Sequence, residues 1–193
     1  AEPGMGKSRL LYEFRHALDA RVATVLEGRC VSYGSSIPYL PLLDILRDNC
    51  GIVDSDSPEV IGDKLTAALT EVDMAPSEWA KYLLHLFGIK EGAEALEVLS
   101  PEAIKARTFE CLRQMSLKGS WRRPLVFFVE DLHWIDTTSE EYLAYLIEGL
   151  PAAAILLVTT YRPGYSPPWM DRSYATQTTL QPLARDDSLS VVQ

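Results

Sequence analysis

The sequence has no apolar run long enough to enter a bilayer. Residues 149–161 form a charge-free stretch of 13, but Pro151 interrupts it, and a spanning helix requires about 20 apolar residues. Residues 1–9 contain no apolar core of the kind a secretory signal needs. Cysteine is scarce. Cys30, Cys50 and Cys111 are odd in number and widely spaced, which fits neither a disulfide framework nor a paired-cysteine zinc site. A reducing cytoplasm is the expected location. Cationic excess is also missing: 18 Lys and Arg stand against 27 Asp and Glu, a net charge of −9. Such a chain has no general attraction to nucleic acid or to an anionic membrane. There is no internal repeat, no low-complexity tract, no Asn-Lys-x-Asp of the guanine-specific GTPases and no Leu-Ser-Gly-Gly of ABC transporters.

What is present is the apolar material of one domain, 47% of 193 residues. Residues 22–28 (VATVLEG), 125–129 (LVFFV) and 153–161 (AAILLVTTY) read as strands, and 175–180 as a weaker fourth. Their apolar runs do not alternate with polar residues, which predicts strands buried on both faces of a parallel sheet flanked by helices. Helical spacing follows Gly6 (Leu10, Leu11, Phe14, Leu18), starts again near Pro38, recurs at Val60 to Val72 and at Pro76 to Phe87, and runs from about Pro101 to Leu117. Thr138 with Glu141 has the spacing of a capping box before a further helix. Residues 51–118 are too many for a simple crossover, so they are expected to form a helical insertion in a βαβ unit.

The first eight residues, AEPGMGKS, fit the P-loop spacing, with Ala1 where glycine is more usual. Gly4 and Gly6 permit the backbone to turn its N–H groups toward phosphate oxygens, and the following helix aims its positive end at the same place. Ala1, Pro3, Gly4, Met5, Gly6, Lys7, Ser8 and Arg9 are the expected nucleotide contacts. Lys7 reaches the β and γ phosphates, and Ser8 ligates Mg²⁺. Downstream, LVFFVED is a buried strand ending in two acids. Glu130 is placed in the Mg²⁺ shell and Asp131 at the attacking water, with both acids as metal candidates and the two roles open to exchange. Arg162, at the tip of the next strand (TTYRP), is the candidate γ-phosphate sensor. His133 and Trp134 read as packing residues, since no nucleophile motif accompanies His133 and Asp136. The Pro38–Leu42 stretch (PYLPL) reads as a helix start held by two prolines.

Taken together, AEPGMGKSRLLYEF, EGRC, PYLPLLDIL, RRPLVFFVEDLHWIDTTSEEYL and LLVTTYRPGYSPPW resemble the nucleotide-binding domain of STAND-type ATPases, relatives of the AAA+ group. The resemblance is to the ATPase module that follows class III adenylate/guanylate cyclase domains and that occurs in large LuxR-type transcriptional regulators. It implies a P-loop NTPase with a five-stranded parallel sheet in the order 5-1-4-3-2, ATP and Mg²⁺ as ligands, and slow hydrolysis that times a regulatory switch. It also implies attached effector or sensor domains and nucleotide-dependent self-association. On that pattern residues 1–193 are one domain truncated at both ends, lacking the strand before the P-loop, and weak in hydrolysis when isolated. A scaffold that holds nucleotide without turnover is the alternative. A small-molecule P-loop kinase would need an arginine-rich lid, and 51–118 supplies only Arg107 and Arg113.

Overall fold

In the computed structural model, which describes residues 6–18 and 21–180, three strands form a parallel sheet. They are β1 (Thr24–Arg29), β2 (Leu125–Glu130) and β3 (Ile155–Thr159), side by side in that order. Leu26 stands opposite Phe127, and Val129 opposite Thr159. Each strand ends within two residues of the expected boundary. The absence of alternation in β2 has a direct cause: its first five residues are all buried, and they feed two separate cores. Leu125, Phe127 and Val129 enter the large core on one face; Val126 and Phe128 enter a smaller one beneath α1 (Lys7–Ala17). There Phe14 meets Phe128 edge to face at 5.8 Å, and the Arg15 guanidinium lies 5.6 Å over the same ring while pairing with Glu27.

Between β1 and β2 run α2 (Leu40–Cys50), α3 (Pro58–Glu71), α4 (Pro76–Leu86) and the long α5 (Pro101–Arg122); α6 (Thr137–Ile147) joins β2 to β3. Proline opens α3, α4 and α5 at a position where its missing N–H has no intrahelical partner to lose. Ser57 and Ser100 cap α3 and α5 through their hydroxyl oxygens. The start of α6 differs from expectation. Its cap is Asp136, which accepts the Ser139 N–H at 2.9 Å, and not Thr138, because a carboxylate two residues earlier reaches the first-turn amide before the Thr138–Glu141 box can form. Gly28 is demanded by packing: a side chain there would collide with the Pro41 carbonyl oxygen where α2 lies on β1. No helix among the described residues is long and apolar enough to cross a membrane.

The fourth strand expected at 175–180 does not form; the segment is irregular. A strand needs a neighbouring backbone about 4.8 Å away. Thr176–Leu180 instead lines the far wall of a cleft of about 460 Å³ whose near wall is β3 and whose remaining side is α1. Three strands in the order β1-β2-β3 are therefore the sheet of the described residues.

One glycine is a site for gain. Gly119 lies inside α5, and an added Cβ would stand 3.7 Å from Leu125 Cδ1 and 3.9 Å from Val72 Cγ1, ordinary contact distances. Gly119→Ala is expected to stabilise the fold by about 1 kcal/mol and to raise the melting temperature by roughly 2–4 °C in a calorimetric scan. An unchanged or lowered midpoint would mean that α5 does not sit against β2 as described.

Candidate functional site

All three strands run the same way, so their C-terminal ends meet along one edge, where loops from parallel strands build binding sites. Gly6 stands at that edge with φ 82°, a left-handed turn that hands the chain into α1 at Lys7. Lys7 is half-buried and borders the cleft beside Thr160 and Tyr161, while Ser8 is exposed on the first turn. Arg9, expected at the nucleotide, lies along the helix toward Glu13, with its guanidinium 5.8 Å over the Tyr12 ring. The expected contacts Ala1, Pro3, Gly4 and Met5 lie outside the described residues.

The acids at the end of β2 sit in an unusual backbone. Asp131 has φ 58°, a left-handed conformation that an L-residue with a side chain adopts only when its surroundings hold it there. Thr160 does the holding. Asp131 N–H donates to Thr160 Oγ1 at 3.0 Å, Leu132 N–H donates to the Thr160 carbonyl at 2.8 Å, and Thr160 N–H donates back to Val129 O at 3.1 Å. The Asp131 carboxylate is left 43% exposed at the edge, free to meet a ligand from solvent. Glu130 is half-buried and, by strand alternation, shares the face of Phe128 that α1 covers.

His133 lies between these groups. Its side chain is only 12% exposed, its Nδ1 is 3.9 Å from Asp131 Oδ1, and its ring packs on Trp134 at 5.1 Å. Both ring nitrogens are buried without a hydrogen-bond partner. Burial lowers the imidazole pKa; the Asp131 charge opposes this, and the Arg162 and Lys7 cations add to it. His133 is therefore neutral near pH 7. Of the residues singled out in the sequence, Asp131 has its side chain beside His133, and Lys7 borders the cleft at Thr160 and Tyr161, which directly precede Arg162. Arg162 is half-buried, with an Nε that has no partner.

Sequence reasoning passed over two residues. Thr160 fixes the backbone of Asp131, and Asp136 ties the acidic turn to a distant loop. Asp136 is 4% exposed; its Oδ1 accepts both the Ser139 N–H and, at 3.2 Å, the Tyr39 N–H, and its Oδ2 has no partner. Asp136 followed by Thr-Thr-Ser-Glu-Glu is the pattern of a helix cap, a signal that the later Thr138–Glu141 spacing masked.

The cysteines supply no metal or redox centre. All three are free, and burial pushes the Cys30 and Cys111 thiols up to about 12 and Cys50 to about 11, so they stay protonated. Among the described residues no group of three or more His, Cys, Asp or Glu side chains could cage a metal ion. The donors at the edge, one hydroxyl and two carboxylates, suit instead a magnesium ion that takes its other ligands from phosphate and water. Arg107 and Arg113, the two arginines open to a kinase-like lid, are engaged elsewhere: Arg107 pairs with Glu78 and stacks 4.5 Å over Trp79, and Arg113 lies 4.6 Å over Tyr145.

The family model described as AAA ATPase domain matches residues 1–158. The chain is 32% identical over 192 residues to an uncharacterized protein of Rhizobium meliloti (strain 1021). That match covers 97% of the chain but only 18% of the relative's length. No solved structure matches the chain.

Proposed function

Because the chain belongs to the AAA ATPase domain family, whose role is nucleotide binding and ATP hydrolysis, we propose that it binds ATP with Mg²⁺ and hydrolyses it slowly as the switch of a longer regulatory protein. The observation that carries this reading is the C-terminal edge of the parallel sheet, where Lys7 borders the cleft at Thr160 and Tyr161 while the same Thr160 holds the left-handed backbone of Asp131. Two cations and a carboxylate at that edge suit a polyphosphate beside a reactive water.

Each side chain has a task that its position permits. Gly6 lets the chain turn so that the amides opening α1 face the phosphates, and Lys7 binds the β and γ oxygens. Mg²⁺, when bound, offsets the charge that develops on the phosphates; Ser8 and Glu130 would hold it, both on the α1 side of the sheet. Asp131 orients the attacking water and takes its proton. The neutral His133, packed on Trp134, walls one side of the Asp131 carboxylate and leaves the other open to the water it activates. Arg162 contacts the γ-phosphate and so distinguishes ATP from ADP. Because the matched relative extends far beyond this segment, the switch would act on attached effector or sensor domains, and on self-association. The resemblance to cyclase-linked and LuxR-type regulators points to those classes of output. A five-stranded sheet in the order 5-1-4-3-2, with β1, β2 and β3 as its second, third and fourth strands, belongs to the same proposal, as does a single domain with an insertion at 51–118.

Lys7→Ala tests it. Removing a charge-assisted contact to phosphate is expected to weaken MgATP binding roughly 10- to 100-fold in titration calorimetry, with the circular dichroism spectrum unchanged. Unaltered affinity would sink the reading.

A further inference from the structure

Residues 131–136 form a short strut fixed at both ends. At one end Asp131 N–H and Leu132 N–H are held by Thr160; at the other the Asp136 carboxylate holds Tyr39 N–H. The span between is a single tight turn, Leu132–Trp134, closed by bonds from Trp134 N–H to Asp131 O at 2.8 Å and from Ile135 N–H to Leu132 O at 3.0 Å. Leu132 is fully buried, so the turn has little slack. Both anchored partners have left-handed backbones without being glycine, Asp131 at φ 58° and Tyr39 at φ 66°. Such strain is kept only while neighbours enforce it, so each of these residues depends on the bonds that hold it. Tyr39 closes the loop 31–38, in which Tyr33 is 76% and Ile37 44% exposed. Its ring lies edge-on against Phe109 at 6.3 Å and its carbonyl accepts the Leu43 N–H of α2 at 2.8 Å, so the Tyr39 amide is the point at which the acidic turn meets the loop.

Asp136 is poorly explained as a cap alone. A serine caps a helix about as well without burying a carboxylate whose second oxygen goes unused. A serine hydroxyl, one bond shorter, would reach the Ser139 amide but not the Tyr39 amide as well. We propose that Asp136 is a latch: it joins the acidic turn to the loop 31–38, so that a change at the Thr160–Asp131 end of the strut is felt at Tyr33 and Ile37. Given the nucleotide reading above, on which this last step rests, the change is the arrival or loss of the γ-phosphate, and the loop displays it on the surface.

Hydrogen exchange of the peptide covering 31–39, measured on the whole chain, tests the latch in two arms. Without nucleotide, Thr160→Val removes the hydroxyl that holds Asp131 N–H, leaving only the main-chain bond from Leu132 N–H, and is expected to speed exchange in 31–39 about three-fold or more; in an Asp136→Ser background, where α6 stays capped, the same change adds nothing. With nucleotide, a slowly hydrolysed ATP analogue and ADP give different exchange in 31–39 of the wild type and the same exchange in Asp136→Ser, whose affinity by calorimetry is unchanged. Additive effects of Thr160→Val and Asp136→Ser, or a nucleotide response that survives Asp136→Ser, would overturn the latch. Coupling in the first arm with no nucleotide binding at all would support the latch and reject the nucleotide reading.

Discussion

Asp131→Asn is expected to lower ATP turnover by about 10²- to 10³-fold while MgATP affinity stays within roughly three-fold, the pattern of a group that acts on the water and not on the bound phosphates. The substitution isolates charge from structure for a reason visible in the backbone. Asp131 sits at φ 58°, and asparagine tolerates that region nearly as well as aspartate, whereas alanine does not. Its anchor to Thr160 is made by the amide N–H, which asparagine keeps. The carboxylate itself is 43% exposed, so its neutralisation leaves no buried charge unpaired. Single-turnover release of phosphate gives the rate, and calorimetry the affinity. If turnover is unchanged and Glu130→Gln abolishes it, the two acids have the opposite roles. If the wild type binds ATP and releases no phosphate, the domain is a nucleotide-held scaffold.

The parts of this site that could be read directly are those in which chemistry dictates residue type. Lys7 and Ser8 after a glycine, and Glu130-Asp131 at the end of an apolar run, are conspicuous because the proposed phosphate and metal ligands would leave few alternatives. The unbroken apolar run of β2 likewise announced burial on both faces, which its division between two cores bears out. Thr160 was illegible for a physical reason. A threonine at a strand end is what strand propensity favours anyway, and its task arises only from the left-handed turn at Asp131, which no local pattern signals. The misplaced start of α6 is a contest between two caps of nearly equal quality, won by the Asp136 carboxylate two residues earlier, which also accepts the Tyr39 N–H, 97 residues away. Segment 175–180 looked like a strand because threonine and leucine suit one, but strand formation needs a partner edge, and here the cleft beside β3 intervenes.

Asp136 carries the other large effect, on stability. Asp136→Ala is expected to destabilise the fold by about 2–4 kcal/mol, the sum of a lost helix cap, about 1 kcal/mol, and a backbone donor left unsatisfied, about 1–3 kcal/mol. Only part of that sum is open to relief by water. Asp136 is 4% exposed and Ser139 fully buried, so neither the Ser139 N–H nor the space vacated by the carboxylate is readily hydrated. For a chain of this length the loss corresponds to a fall of roughly 4–16 °C in melting temperature. Asp136→Asn separates the two possible causes. Both hydrogen bonds end on Oδ1, an acceptor that asparagine retains, and the oxygen it replaces with an amide group, Oδ2, has no partner to lose. Asn at this position should therefore cost about 1 kcal/mol, less than Ala, because it keeps the cap and both bonds and loses only through an NH2 group buried where Oδ2 has no partner. The ordering Ala far below Asn in urea midpoint is the check. An Asn variant as unstable as Ala would place the contribution in the negative charge, through its attraction to the amides opening α6, and not in the two bonds that join the acidic turn to Tyr39.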